Sequence, residues 1–174
     1  DPMLDLFVYE TLELVSQLEN IALSSEKSNA IESQIDEVFR IVHTIKGNAA
    51  MMNFENIASL LHSLEDTFYY LRENHPKKVD YSALTDVVLR SIDFIKNEIG
   101  KIQSGAAPDG DMSAIVQEIK ESLSSLKSNN DLEKQEDKNI ALDQQDHNEK
   151  QDVSGENHFK ALIFFEDNCE MENI

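Results

Sequence analysis

The sequence predicts an all-α protein: an antiparallel four-helix bundle followed by a fifth, C-terminal helix. Three observations lead there. Glycine and proline number only 5 and 3 in 174 residues, while Leu, Ile, Glu and Lys are plentiful. Apolar residues recur at helical spacing in five successive stretches. The breaks between the first four stretches are short, which makes consecutive helices antiparallel neighbours.

The first helix spans residues 3–23, with Leu4, Phe7, Val8, Leu12, Val15, Leu18 and Ile21 at helical spacing. Asp1 and Pro2 supply its cap and first turn. Ser24, Ser25 and Ser28 interrupt the pattern, and a second helix runs from about Ile31 through Met52. Asn53 tolerates the left-handed conformation, so the chain turns there. The third helix, about Phe54–Glu73, carries Ile57, Leu60, Leu61, Leu64, Phe68 and Leu71 inward. After a turn around Pro76, Asp80 or Ser82 caps a fourth helix reaching about Gln103. Residues 104–111 hold two glycines and a proline and form a loop. The fifth helix, about Met112–Leu126, is amphipathic through Ile115, Ile119, Leu123 and Leu126. The bundle domain therefore covers residues 1–127.

Composition changes at Ser128. Residues 128–157 are almost wholly polar and charged, with too little apolar surface to offset ordering entropy, and are expected to be a disordered acidic linker. Residues 158–174 switch to an alternating aromatic and branched run, Phe159 to Phe165, typical of a strand. Seventeen residues make no domain. They read as the truncated α/β start of one, and the opening at Asp1 and close at Ile174 as those of a piece of something longer.

The net charge of −19 excludes nucleic acid as a partner and argues against an anionic membrane surface. The single cysteine, Cys169, permits no internal disulfide and no thiolate metal cluster. No apolar run approaches a membrane span, and the expected setting is cytoplasmic.

The chemistry concentrates in Val38–Met52, VFRIVHTIKGNAAMM. On a helix turning about 100° per residue, Val38, Val42, Ile45, Ala49 and Met52 fall within roughly 40° of one line. His43 falls about 140° from that line, facing water, with Lys46 and Gly47 one turn on. On the third helix Glu65 lies about 80° and His62 about 140° from the apolar line, on one side. If the two helices pack antiparallel, Glu65 comes within reach of His43. A carboxylate accepting the Nδ1 proton leaves Nε2 with a free lone pair and stabilises the charge that builds when Nε2 attacks phosphorus. Lys46 offsets negative charge on a phosphoryl group, and Gly47 leaves room for a partner's active site to close over the histidine. Phe39, near the same side, fits either the edge of the core or a docking face. The chain has no Gly-rich phosphate loop, so ATP must be handled elsewhere.

The run HTIKGNAAMM, followed by HSLED, resembles a histidine phosphotransfer (HPt) domain. More narrowly, residues 1–126 are similar to the N-terminal domain of CheA-type chemotaxis histidine kinases, and the opening PMLDLFVYETLELVSQLE resembles how those kinases begin. The resemblance implies that His43 is the phosphorylated histidine and Glu65 its hydrogen-bonding partner. It implies supporting positions for Lys46 and His62, and a small residue beside the histidine at Gly47. It further implies that a separate ATP- and Mg2+-using kinase domain phosphorylates His43, and that the phosphate passes to an aspartate of response regulators of the CheY and CheB type. No cofactor or metal is expected within this chain itself. Asn53 departs from the glycine of many relatives. FKALIFFEDNCEMENI resembles the first strand and helix start of the regulator-docking domain that follows in the same kinases.

Three other readings compete. A metal site of His43, His62 and Glu65 needs more inward-facing ligands than the helical phases supply. A non-catalytic interaction bundle would take up no phosphate. A stand-alone phosphorelay intermediate would end after the bundle, whereas this chain resumes with a strand-like run.

Overall fold

The computed structural model describes residues 1–24 and 30–149, and every regular element among them is helical. They are α1 (Pro2–Ser24), α2 (Ala30–Ser33), α3 (Ile35–Met51), α4 (Glu55–Asn74), α5 (Tyr81–Gln103) and α6 (Ser113–Glu149). The chain divides into two compact units, Asp1–Gln135 and Glu136–Ile174. In the first, α1, α3, α4 and α5 form a closed ring of neighbours, α1 against α3, α3 against α4, α4 against α5 and α5 against α1. This is the expected four-helix bundle.

The inward positions are those of the apolar stripes. Val15, Ile45, Leu64, Phe68, Ile92 and Ile95 are fully buried and meet at the centre, where burying each side chain contributes about 1.5–3 kcal/mol relative to exposure. Lys96 of α5 donates to both carboxylate oxygens of Glu19 on α1 at 2.7 Å, tying that pair of helices together at the edge of the core. The fifth helix of the sequence pattern, α6, lays Ile119 and Leu126 into the same core. Arg90 of α5 donates to Glu118 at 2.8 Å, and the Asn130 amide donates to the Tyr70 hydroxyl at 2.9 Å.

The ends of the helices follow the sequence closely. Asp1 accepts from the backbone N–H of Met3, and Asp80 caps α5 by accepting from that of Ala83 at 2.9 Å. Asn53 turns the chain between α3 and α4 with φ of 58°, in the left-handed region expected of it. Phe54 follows, its N–H closing onto Ala49 and its ring 5.0 Å from that of Phe7.

Two elements differ from expectation. The second helix is broken at Gln34, where ψ swings to 23°, so a single turn, α2, precedes α3. The fifth helix does not stop near Leu126 but runs to Glu149, so residues 128–149, expected as linker, carry helical backbone. Leu132, Lys134, Gln135, Glu136, Lys138, Ala141 and Leu142 are strong helix formers, and a helix already nucleated on the bundle extends at little cost. The remainder of the expected linker, 150–157, and the expected domain start, 158–174, lie outside the described residues.

The loop before α6 is pinned by a buried acid. Glu98 is 1% exposed. Its carboxylate accepts from the Asn56 amide at 2.6 Å and the Gly110 N–H at 3.0 Å, and pairs with Lys101 at 2.7 Å. Burial raises its pKa, but the hydrogen bonds from Lys101, Gly110 and Asn56 outweigh that and hold it below the usual carboxylate value.

Candidate functional site

The three-residue turn of Met52, Asn53 and Phe54 sets the geometry of the site. It folds α3 and α4 into an antiparallel hairpin, the most extensively packed pair in the bundle. By the rise of a helix, His43 lies about 15 Å back from the turn and Glu65 about 18 Å beyond it, so the two stand at one level. The His43 imidazole projects into solvent, its side chain 61% exposed, while Glu65 beneath it is 12% exposed. His43 Nδ1 and Glu65 Oε1 are 2.6 Å apart. Lys46, one turn after His43, pairs through Nζ with the other oxygen of the same carboxylate.

Burial alone would raise the pKa of Glu65. The hydrogen bonds from His43 and Lys46 and the charge of the lysine together outweigh burial and lower it. An ionised carboxylate can only accept, so the proton between the two groups belongs to Nδ1. With its hydrogen on Nδ1, the ring keeps a free lone pair on Nε2, on the exposed side of the bundle.

The hairpin brings together His43, Lys46 and Glu65 of the residues expected from the sequence. His62 stands elsewhere in the network: it lies 3.9 Å from Asp66 on the same helix, both side chains more than half exposed. Lys46 is bound to Glu65 rather than reaching outward alone. Gly47 opens onto free space, since a Cβ built there would meet nothing within 4 Å. Among the described residues no group of three or more His, Cys, Asp and Glu side chains is placed to hold a metal ion, as the metal reading would need. No described helix is long and apolar enough to cross a membrane.

Sequence reasoning left three neighbours unplaced. The Phe39 ring, one turn before His43, stacks on the imidazole with centroids 6.0 Å apart and planes 18° from parallel. Tyr69 and Arg72 of α4 converge on it. The Tyr69 ring is 6.3 Å from that of Phe39, and the Arg72 guanidinium lies 4.2 Å over Phe39 and 5.4 Å from the Tyr69 centroid. For Phe39 and Tyr69 the signal was available: in an antiparallel pair, one turn back from His43 faces one turn on from Glu65.

The profile of the Hpt domain family matches residues 2–105. The chain belongs to the Hpt domain family. Its relatives include the chemotaxis protein CheA of Halobacterium salinarum, 32% identical over 120 residues, 69% of this chain and 18% of that protein. The CheA of Listeria monocytogenes is 30% identical over 117 residues, 67% of this chain and 19% of that protein. A solution structure of the histidine phosphotransfer domain of CheA superposes with a TM-score of 0.59 at 34% identity, covering 67% of this chain and 88% of that one. The bundle is thus a histidine phosphotransfer domain of the CheA kind, and the chain spans under a fifth of the length of these two CheA relatives.

Proposed function

We propose that His43 is the phosphoacceptor of this Hpt domain, working as the phosphoryl carrier between a CheA-type kinase domain and the response regulators of chemotaxis. The observation that carries the reading is the exposed imidazole whose Nδ1 is bound at 2.6 Å to an ionised, mostly buried Glu65. The kinase domain, supplied elsewhere, brings ATP and Mg2+. Nε2 attacks the γ-phosphorus, an N–P bond forms, the bond to the bridging oxygen breaks, and ADP leaves. The ring then carries positive charge, with hydrogen on Nδ1 and phosphorus on Nε2, and Glu65 directly offsets that charge. In the second transfer, an aspartate oxygen of a CheY- or CheB-type regulator attacks the phosphorus, and the electron pair of the N–P bond returns to Nε2.

Lys46 fixes the second oxygen of Glu65 and brings a cation close to the incoming phosphoryl group. His62, one turn before Glu65, is the supporting residue of this reading. Gly47 gives the partner's active site access to the histidine from the side. The test is incorporation of label from γ-labelled ATP, with and without a separately expressed CheA-type kinase domain. Label should appear only with the kinase domain, should be acid-labile and base-stable, and should vanish in His43→Gln. Retention of label by His43→Gln would overturn the assignment.

A further inference from the structure

A nucleophile on a flexible side chain reacts fastest when its lone pair is already aimed. His43 is 61% exposed, so core packing does little to aim it. The hydrogen bond to Glu65 fixes one ring atom and leaves the imidazole free to turn about the Nδ1···Oε1 line. A second constraint on the plane of the ring is required, and Phe39 supplies one. Its ring lies nearly parallel to the imidazole, 18° off, at 6.0 Å. Phe39 is itself held from across the hairpin by Arg72, 4.2 Å over its face, and by Tyr69 at 6.3 Å. A cation over the face of a half-buried ring is attracted to its π-cloud and so favours that orientation of the ring.

We infer that Phe39 is a positioning residue for phosphotransfer, and that Arg72 acts through it: the stack sets the plane of the His43 imidazole and so the direction in which Nε2 faces. In this role Phe39 orients the imidazole and forms no bond to the transferred phosphoryl group. The inference rests on His43 being the phosphoacceptor, and it deepens that reading by naming what aims the ring that Glu65 tethers.

Two arms test it on the 174-residue chain. In the first, initial rates of labelling by a CheA-type kinase domain are measured against concentration of the chain as substrate. Phe39→Leu should lower kcat about three- to tenfold with KM unchanged, because pre-paid orientation is lost while docking is kept. Phe39→Tyr, which keeps the ring, should restore kcat to within about twofold. Arg72→Gln should fall in the same direction by less. In the second arm, nitrogen-15 and carbon-13 NMR of the His43 ring, with no donor present, should show greater ring mobility in Phe39→Leu and wild-type mobility in Phe39→Tyr. Unchanged kcat in Phe39→Leu, a loss confined to KM, failure of Phe39→Tyr to rescue, or an unaltered ring by NMR would each overturn the inference. Failure of wild type to take up label beside an active kinase would instead overturn the phosphoacceptor reading, while the NMR arm still decides whether Phe39 orders the ring.

Discussion

At the scale of single residues, Glu65 and Gly47 make opposite contributions. Glu65 joins two helices through one carboxylate, accepting from His43 and pairing with Lys46. Glu65→Gln keeps the shape but removes the charge that stabilises a phosphorylated, protonated ring. Charge-assisted hydrogen bonds are worth about 1.5–3 kcal/mol, so phosphorylation should slow about ten- to hundredfold, read as the initial rate of labelling. Gly47 costs the helix about 0.8–1 kcal/mol relative to alanine, and nothing inside the domain requires it, because the position is open. On the proposed reading a partner closes over that side, so Gly47→Ala is expected to raise the melting temperature and yet slow transfer. Equal or faster transfer in Gly47→Ala would show that no partner closes over that side. The placement of Glu65 beside His43 was legible in the sequence, because the phase of a helix places His43 outward and a short turn brings Glu65 to its level. Arg72 was not, since its link to the site runs through the ring of Phe39 and so through contact between helices.

At the scale of elements, the loop between α5 and α6 depends on Glu98. Its pKa is lowered in the fold, so the stability it adds is present above the ordinary carboxylate value of about 4.3 and is lost as pH falls through the lower, folded value. Acid unfolding followed by circular dichroism should thus be shallower below about pH 4 in Glu98→Gln than in the native chain. A Cβ at Gly110 would overlap the Glu98 carboxylate and come 2.9 Å from Phe94 Cε2. Glu98 has little freedom to swing aside, being held by Asn56 and Lys101 as well, so Gly110→Ala should destabilise by about 1–3 kcal/mol in denaturant titration. None of this was readable from periodicity. Glu98 lies between Ile95 and Ile99 on α5, and only the returning loop explains a buried charge there. The break at Gln34 was hidden for a different reason: Ile31 and Val38, two turns apart and both buried, keep the apolar stripe in phase across it. The length of α6 was missed because scarcity of apolar residues speaks against burial, not against a helix that already has a nucleus.

At the scale of the whole molecule, charge dominates. Acidic residues number 34 and basic ones 15, so the compact state works against its own repulsion. The melting temperature should rise as salt increases from about 0.01 M to about 0.5 M, through screening. A flat or falling curve would mean that ion pairs such as Lys96–Glu19 and Arg90–Glu118 outweigh the repulsion. The same field favours partners that present basic surface toward the bundle, and their association should weaken over the same range of salt.

The hairpin of α3 and α4 carries a consequence for how the site comes into being. His43 and Glu65 are only 22 residues apart along the chain. Closing so short a segment costs little entropy, and contacts of low sequence separation form early in folding. The His43–Glu65 pair is therefore assembled by one local unit rather than by the completed bundle. α1, α5 and α6 give that unit its stability, but not its design. Lengthening the loop between α4 and α5 or that between α5 and α6 should change how long the domain survives in denaturant while leaving the register of histidine and glutamate untouched.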